Sequence, residues 1–128
     1  DPSSGDMFKI EVKTSPHKEV RERFVGQGKF MYWVMSKKHA EQPEKKLFYC
    51  MVSIQQNGNF RYFVLPATVI SEYVGLEFAE YLRSHPHIDP KASLMRKFRI
   101  ALEDPSFYLF EHPRAEKYEN NWEQLRTH

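Results

Sequence analysis

A chain of 128 residues fits one domain, and at 41% hydrophobic and 15% aromatic it is too apolar for a disordered segment. Nineteen Lys and Arg against 17 Asp and Glu leave a net charge of +2, which excludes a histone-like polycation, so any nucleic-acid affinity must come from local clusters. The single cysteine, Cys50, excludes an internal disulfide and any multi-cysteine zinc site.

The chain opens on Asp1-Pro2-Ser3-Ser4-Gly5-Asp6, a turn-forming stretch without an initiator Met. A turn with nothing before it reads as the middle of a hairpin and implies upstream sequence, with a disordered leader as the alternative. Residues 8–13 alternate strictly, Phe8, Ile10 and Val12 on one face of a strand and Lys9, Glu11 and Lys13 on the other. Residues 15–28 read as a polar, basic loop, and residues 29–35 as a second strand, apolar on both sides. A charged loop over 36–46 leads to a third, fully buried strand over 47–54. Asn57-Gly58 is a strong hairpin signal, and residues 60–65 return as the fourth strand.

Pro66 stops the sheet, and a helix opens near Ala67 and Thr68, either continuous or broken near Gly75. A loop follows over 84–90. Residues 92–102 fit strand and helix periods equally imperfectly, and the tail from Tyr118 to Leu125 suits a short docking helix. The order predicts an α/β fold, a mixed central sheet of about four strands flanked by helices. No apolar run approaches the roughly 18 residues of a membrane span and no signal peptide opens the chain, so it reads as soluble and cytoplasmic.

Glu11-Val12-Lys13 carries the sharpest chemistry. On a buried strand, a carboxylate and an ammonium at i and i+2 project from one face, about 6–7 Å apart. Metal-dependent phosphodiester hydrolysis uses such a pair: the carboxylate holds Mg²⁺, and the lysine handles water and offsets charge on the phosphorane. The three-residue pattern is also common in solvated strands, where it is an exposed charge pair.

Ile10-Glu11-Val12-Lys13-Thr14-Ser15 resembles the second-strand motif of the PD-(D/E)XK nuclease-like superfamily, a hydrophobic-(D/E)-x-K run often continued by Thr or Ser. The strands from Phe48 to Ser53 and from Arg61 to Leu65, the Pro66-Ala67-Thr68-Val69-Ile70 that follows, and the tail Tyr118-Glu119-Asn120-Asn121-Trp122-Glu123-Gln124-Leu125 are similar to small members of that group. The resemblance implies a restriction-endonuclease-like fold and a Mg²⁺-dependent DNA endonuclease, Mn²⁺ serving as a substitute. Glu11 would be catalytic and metal-binding, and Lys13 catalytic.

The family places a metal-binding Asp on the strand before the motif, with an acid-bearing helix ahead of it, and neither precedes Glu11. With the hairpin centred near Ser3 and Ser4, the residue opposite Glu11 lies about four positions upstream of Asp1. Asp1 and Asp6 fall in the turn, at the wrong end of the strands. The domain therefore reads as one lacking its upstream helix and first strand, or as a degenerate member. A non-catalytic module binding nucleic acid or a protein stays open, as does an unrelated α/β interaction domain; a homodimer or a complex with another protein is compatible with either.

Two basic clusters are candidates for phosphate contact. Lys18, Arg21 and Arg23 are interleaved with Glu19 and Glu22, and residues 91–99 carry Lys91, Arg96, Lys97 and Arg99 without an acid. Cys50, mid-strand among apolar residues, reads as inert. His85, His87 and Asp89 lack a third placed ligand for zinc. Trp33 reads as core.

Overall fold

Two sheets and a long helix enclose one core in the computed structural model, which describes residues 8–15, 20–22, 26–36, 46–89, 96–104 and 107–126. In the first sheet β1 (Lys9–Ser15) pairs in parallel with β4 (Leu47–Ile54), and β4 pairs antiparallel with β5 (Phe60–Pro66). The sheet is mixed, with the Glu11 strand beside residues 47–54 as expected, but it has three strands rather than about four, because residues 29–35 pair in a separate sheet. A second sheet has the order β2 (Val20–Glu22), β3 (Gly26–Met35), β6 (Arg96–Ala101), and β7 (Phe107–Tyr108) pairs with the start of β3.

β4 is central because its apolar residues leave neither face for water: Phe48 through Ser53 are all buried. The β4–β5 hairpin is antiparallel, as Asn57-Gly58 predicts, with a five-residue connection rather than the tightest turn. The Gly58 amide donates to the Gln55 carbonyl at 3.0 Å, and Gly58 takes φ +86°, the left-handed region open to glycine.

The 15–28 loop is corrected: β2 and the start of β3 form there, Arg21 pairing with Lys29 and Glu22 with Gly28. Residues 96–101 resolve as strand. Phe98 and Ile100 lie opposite Trp33 and Met31, and such cross-strand burial outweighs a period that favours neither state.

Pro66 ends β5 and stands at the N-cap of α1 (Ala67–Ser84), which runs unbroken through Gly75. Ala67, Ile70, Tyr73, Val74 and Glu77 form its buried stripe at helical spacing. Gly75 lies on the exposed side with open space where a Cβ would stand. Gly75→Ala is expected to raise stability by about 1 kcal/mol, read as a higher urea midpoint; a lower midpoint would reverse that assignment.

The core lies between the sheets and α1. Trp33 and Met35 from β3, Phe98 from β6, Met51 from β4 and Phe63 from β5 meet Ile70 and Val74 there. Trp33 joins the two sheets: its ring meets Phe63 edge-on at 5.8 Å and its Nε1–H donates to the Val52 carbonyl at 2.9 Å. Ser15, at the end of β1, is buried and donates to the Tyr32 carbonyl at 3.1 Å.

The tail is one helical turn, α2 (Ala115–Tyr118), and a 3-10 turn at Trp122–Leu125, in place of a continuous docking helix. It holds to the edge of β5 by a bridge between Glu119 and Phe63 and by the Asn120 amide donating to the Tyr62 carbonyl at 2.8 Å. Arg61 donates twice to the Glu119 carboxylate, each at 2.8 Å, and this lowers the Glu119 pKa. Among the described residues no helix is long and apolar enough to cross a membrane.

Candidate functional site

Among the described strands β1 lies at the edge of its sheet, and Glu11 on it is exposed and Lys13 half-buried, which corrects the buried strand read from the sequence. Positions 9 to 12 and 14 of β1 are exposed, and burial begins only at Ser15. The cause is the order of the sheet: β1 has β4 on one side, and no described strand pairs with its other edge. The two faces of the alternation also differ from the pattern's promise. Ile10 and Val12 remain 46% and 63% exposed, although they pair with the buried Phe48 and Cys50. The polar row instead continues the face that β4 turns to the core, Glu11 beside Tyr49 and Lys13 beside Met51.

Glu11 therefore sits at a boundary between core and solvent. Tyr49, 5% exposed and part of the core cluster, is the register partner of Glu11 on β4. Burial, and after it the Glu11 charge, raise the Tyr49 pKa to about 12. The phenol is a donor at any working pH. Nothing in the sequence marks Tyr49 apart from the other aromatics of its strand, because the pairing depends on the β1–β4 register.

Of the described basic candidates on β6, two are turned into the interior. Arg99 is 4% exposed, and its guanidinium pairs with the Glu77 carboxylate of α1. Tyr73 donates to the same carboxylate at 2.5 Å, and burial followed by the Glu77 charge drives its pKa well above the usual phenol range. Arg96 is buried as well, its guanidinium 3.3 Å from the centre of the Phe78 ring. Of the three β6 cations only Lys97 is exposed, with its ammonium 4.7 Å from the Tyr32 ring centre. The expected solvent-facing cluster is corrected: two of its guanidinium groups serve the interior. Charge alone does not distinguish a buried arginine from a surface one until its acidic partner is placed. Arg21 lies on β2. Lys18, Arg23, Lys91, Asp1 and Asp6 lie outside the described residues.

Cys50 is a buried free thiol whose pKa is raised by burial. His85 stacks on Tyr81 at 4.4 Å, with His87 6.2 Å away, and among the described residues no group of three His, Cys, Asp or Glu side chains is placed to hold a metal.

A pocket of about 250 Å³ opens between α1 and the 111–118 segment, with Val69, Tyr73, Leu76, His112, Arg114 and Tyr118 in its wall. His112 is 7% exposed in an aromatic nest: Phe110 stacks on it at 5.4 Å, Phe30 lies at 5.1 Å and Tyr73 at 5.3 Å. Burial lowers its pKa to about 4; the Phe110 backbone offsets part of that effect, and the Arg99 charge adds to it.

Compared with protein-family models, with curated proteins and with solved structures, the chain matches none.

Proposed function

We propose that the chain carries part of a DNA-cleaving, metal-dependent site of the PD-(D/E)XK type, with Mg²⁺ or Mn²⁺ as its ion. One observation carries the reading: Glu11 and Lys13 lie two residues apart on one face of a strand in a mixed α/β sheet, at the rim of the core. Mg²⁺ is usually held by one or two carboxylates together with substrate oxygens and water. Glu11, an exposed carboxylate side chain, fits one of those positions. The reading takes a second acid from a strand opposite Glu11, on the edge of β1 that no described strand occupies. When bound, the ion supplies Lewis acidity toward a phosphate and acidifies a water. Lys13 places its ammonium on the same face, where Nζ–H donors offset the negative charge that grows on the phosphate oxygens.

Cleavage of single-stranded, duplex and branched DNA with Mg²⁺ or Mn²⁺ tests the proposal. It is measured on the 128-residue chain and on that chain together with any native sequence that precedes Asp1. The 128 residues alone are expected to bind Mg²⁺ weakly and to cut slowly or not at all. The longer chain is expected to cut; Glu11→Gln should abolish the activity, and Lys13→Ala should lower turnover while leaving metal affinity nearly intact. Both side chains are on an edge strand, so unfolding midpoints should stay within a few degrees of the parent. No cleavage by either chain on any of these substrates would overturn the reading in favour of a non-catalytic binding module.

A further inference from the structure

We infer that the pocket between α1 and the 111–118 segment binds a small organic amine, its ammonium held by Glu72 and Glu111 and its apolar body by Tyr73, Leu76 and Tyr118. The site is independent of Glu11 and Lys13. One wall is a single face of α1, where Val69, Glu72, Tyr73 and Leu76 stand at positions i, i+3, i+4 and i+7. The opposite wall is the chain from Glu111 to Arg114 and the turn α2, which brings in Lys117 and Tyr118. That wall is fixed at both ends. The Ala101 amide donates to the Pro113 carbonyl at 2.8 Å, and Glu119 bridges to Phe63 just beyond Tyr118. At about 250 Å³ the pocket falls just below the roughly 300–1,000 Å³ of drug-sized sites, which points to a small ligand.

Charge decides the class of ligand. Arg114 is already engaged by Asp104 and, at 3.0 Å, by Glu116. The Lys117 ammonium lies 5.4 Å from the centre of the Tyr118 ring, so this wall already presents a π face to a cation. Glu72 and Glu111 are exposed lining residues, and neither has an ion-pair or hydrogen-bond partner among the described residues. His112 lines the pocket as well, and among the described residues neither of its ring nitrogens has a hydrogen-bond partner. Buried groups of that kind cost free energy unless something pairs with them. Burial lowers the His112 pKa to about 4, so at pH 7 the imidazole is neutral and does not repel a cation. Two acidic side chains without partners, two tyrosine rings and a neutral imidazole favour an ammonium over a carboxylate or a phosphate.

Phenethylamine, phenethyl alcohol and hydrocinnamate, alike in shape and different in charge, are titrated into the 128-residue chain at pH 7 and followed by NMR of the backbone amides. The amine is expected to bind at about millimolar concentration or tighter, as a fragment of that size can. Its shifts should centre on residues 69–76 and 111–118. It should bind about tenfold tighter than the alcohol, with hydrocinnamate weakest. Replacing Glu72→Gln and Glu111→Gln together should bring the amine down to the affinity of the alcohol and leave the alcohol unchanged. Both side chains are exposed, so the unfolding midpoint should stay within a few degrees of the parent. Equal affinity for amine and alcohol in the parent, or tighter binding of hydrocinnamate, would overturn the ligand class. Amine shifts centred elsewhere, or none at all, would overturn the site.

Discussion

Glu77→Gln and Arg99→Met should each destabilise the protein by about 3–5 kcal/mol, because either change leaves the remaining partner buried without its counter-charge or its full set of hydrogen bonds. Arg99 is 4% and Glu77 6% exposed, so water cannot replace the lost partner without opening the contact between α1 and β6. A domain of this size has about 5–15 kcal/mol in total, so the loss would lower the unfolding temperature by on the order of 10 °C. Tyr73→Phe removes only the 2.5 Å hydrogen bond to Glu77 and should cost about 1–2 kcal/mol. The double replacement Glu77→Leu with Arg99→Met should be less destabilising than either single change, since it removes both charges together. Urea unfolding of the four variants at pH 7 measures this. Single variants within 1 kcal/mol of the parent would show that the pair is solvated.

Acid will weaken the fold through His112. At pH 7 the imidazole is neutral in both the folded and the unfolded chain. As pH falls below about 6.5 the unfolded chain takes up a proton, whereas the folded chain resists until about pH 4. Between these values the unfolded state binds more protons, so stability declines with falling pH; below about 4 the decline from this group is complete. The gap corresponds to about 3 kcal/mol. His112→Phe keeps an aromatic ring against Phe110, Phe30 and Tyr73 and cannot titrate, so it should remove that part of the slope. The comparison must be a difference between variant and parent at each pH. Glu119 has a lowered pKa through Arg61, so its stabilising contribution is lost as pH falls toward and through its own folded value. Urea unfolding at pH 7, 6, 5 and 4 gives both curves; parallel curves would mean that the folded protein accommodates a charged His112.

Local chemistry made much of the fold legible from the sequence. The run from Leu47 to Ile54 is apolar at every position but Ser53, so it becomes the centre of a sheet wherever the rest of the chain goes. Asn57-Gly58 turns the chain back because a left-handed residue is needed there, and Pro66 closes the strand and opens the helix. Within α1 the start near Ala67 and the apolar positions Ile70 and Val74 were readable. What Glu77 meets was not, because Arg99 is 22 residues away along the chain.

Glu11 and Lys13 show where sequence reading stops. Their spacing on one face follows from the two-residue period of a strand and needs no tertiary structure. Which face is wet, however, depends on the neighbours that pair with β1. Alternation predicts Ile10 and Val12 inside; an edge position beside β4 leaves them exposed and sets Glu11 against Tyr49. The same holds for charge. Lys97, Arg96 and Arg99 are equivalent cations in one short basic run, but packing against α1 buries Arg99 on Glu77 and Arg96 on Phe78 and leaves Lys97 in water. Periodicity and turn chemistry act over a few residues and are written in the order of the chain. Burial and charge pairing arise between segments that meet only after folding, so the surroundings of Glu11 and the fate of the arginines follow from how the sheets and the helix pack.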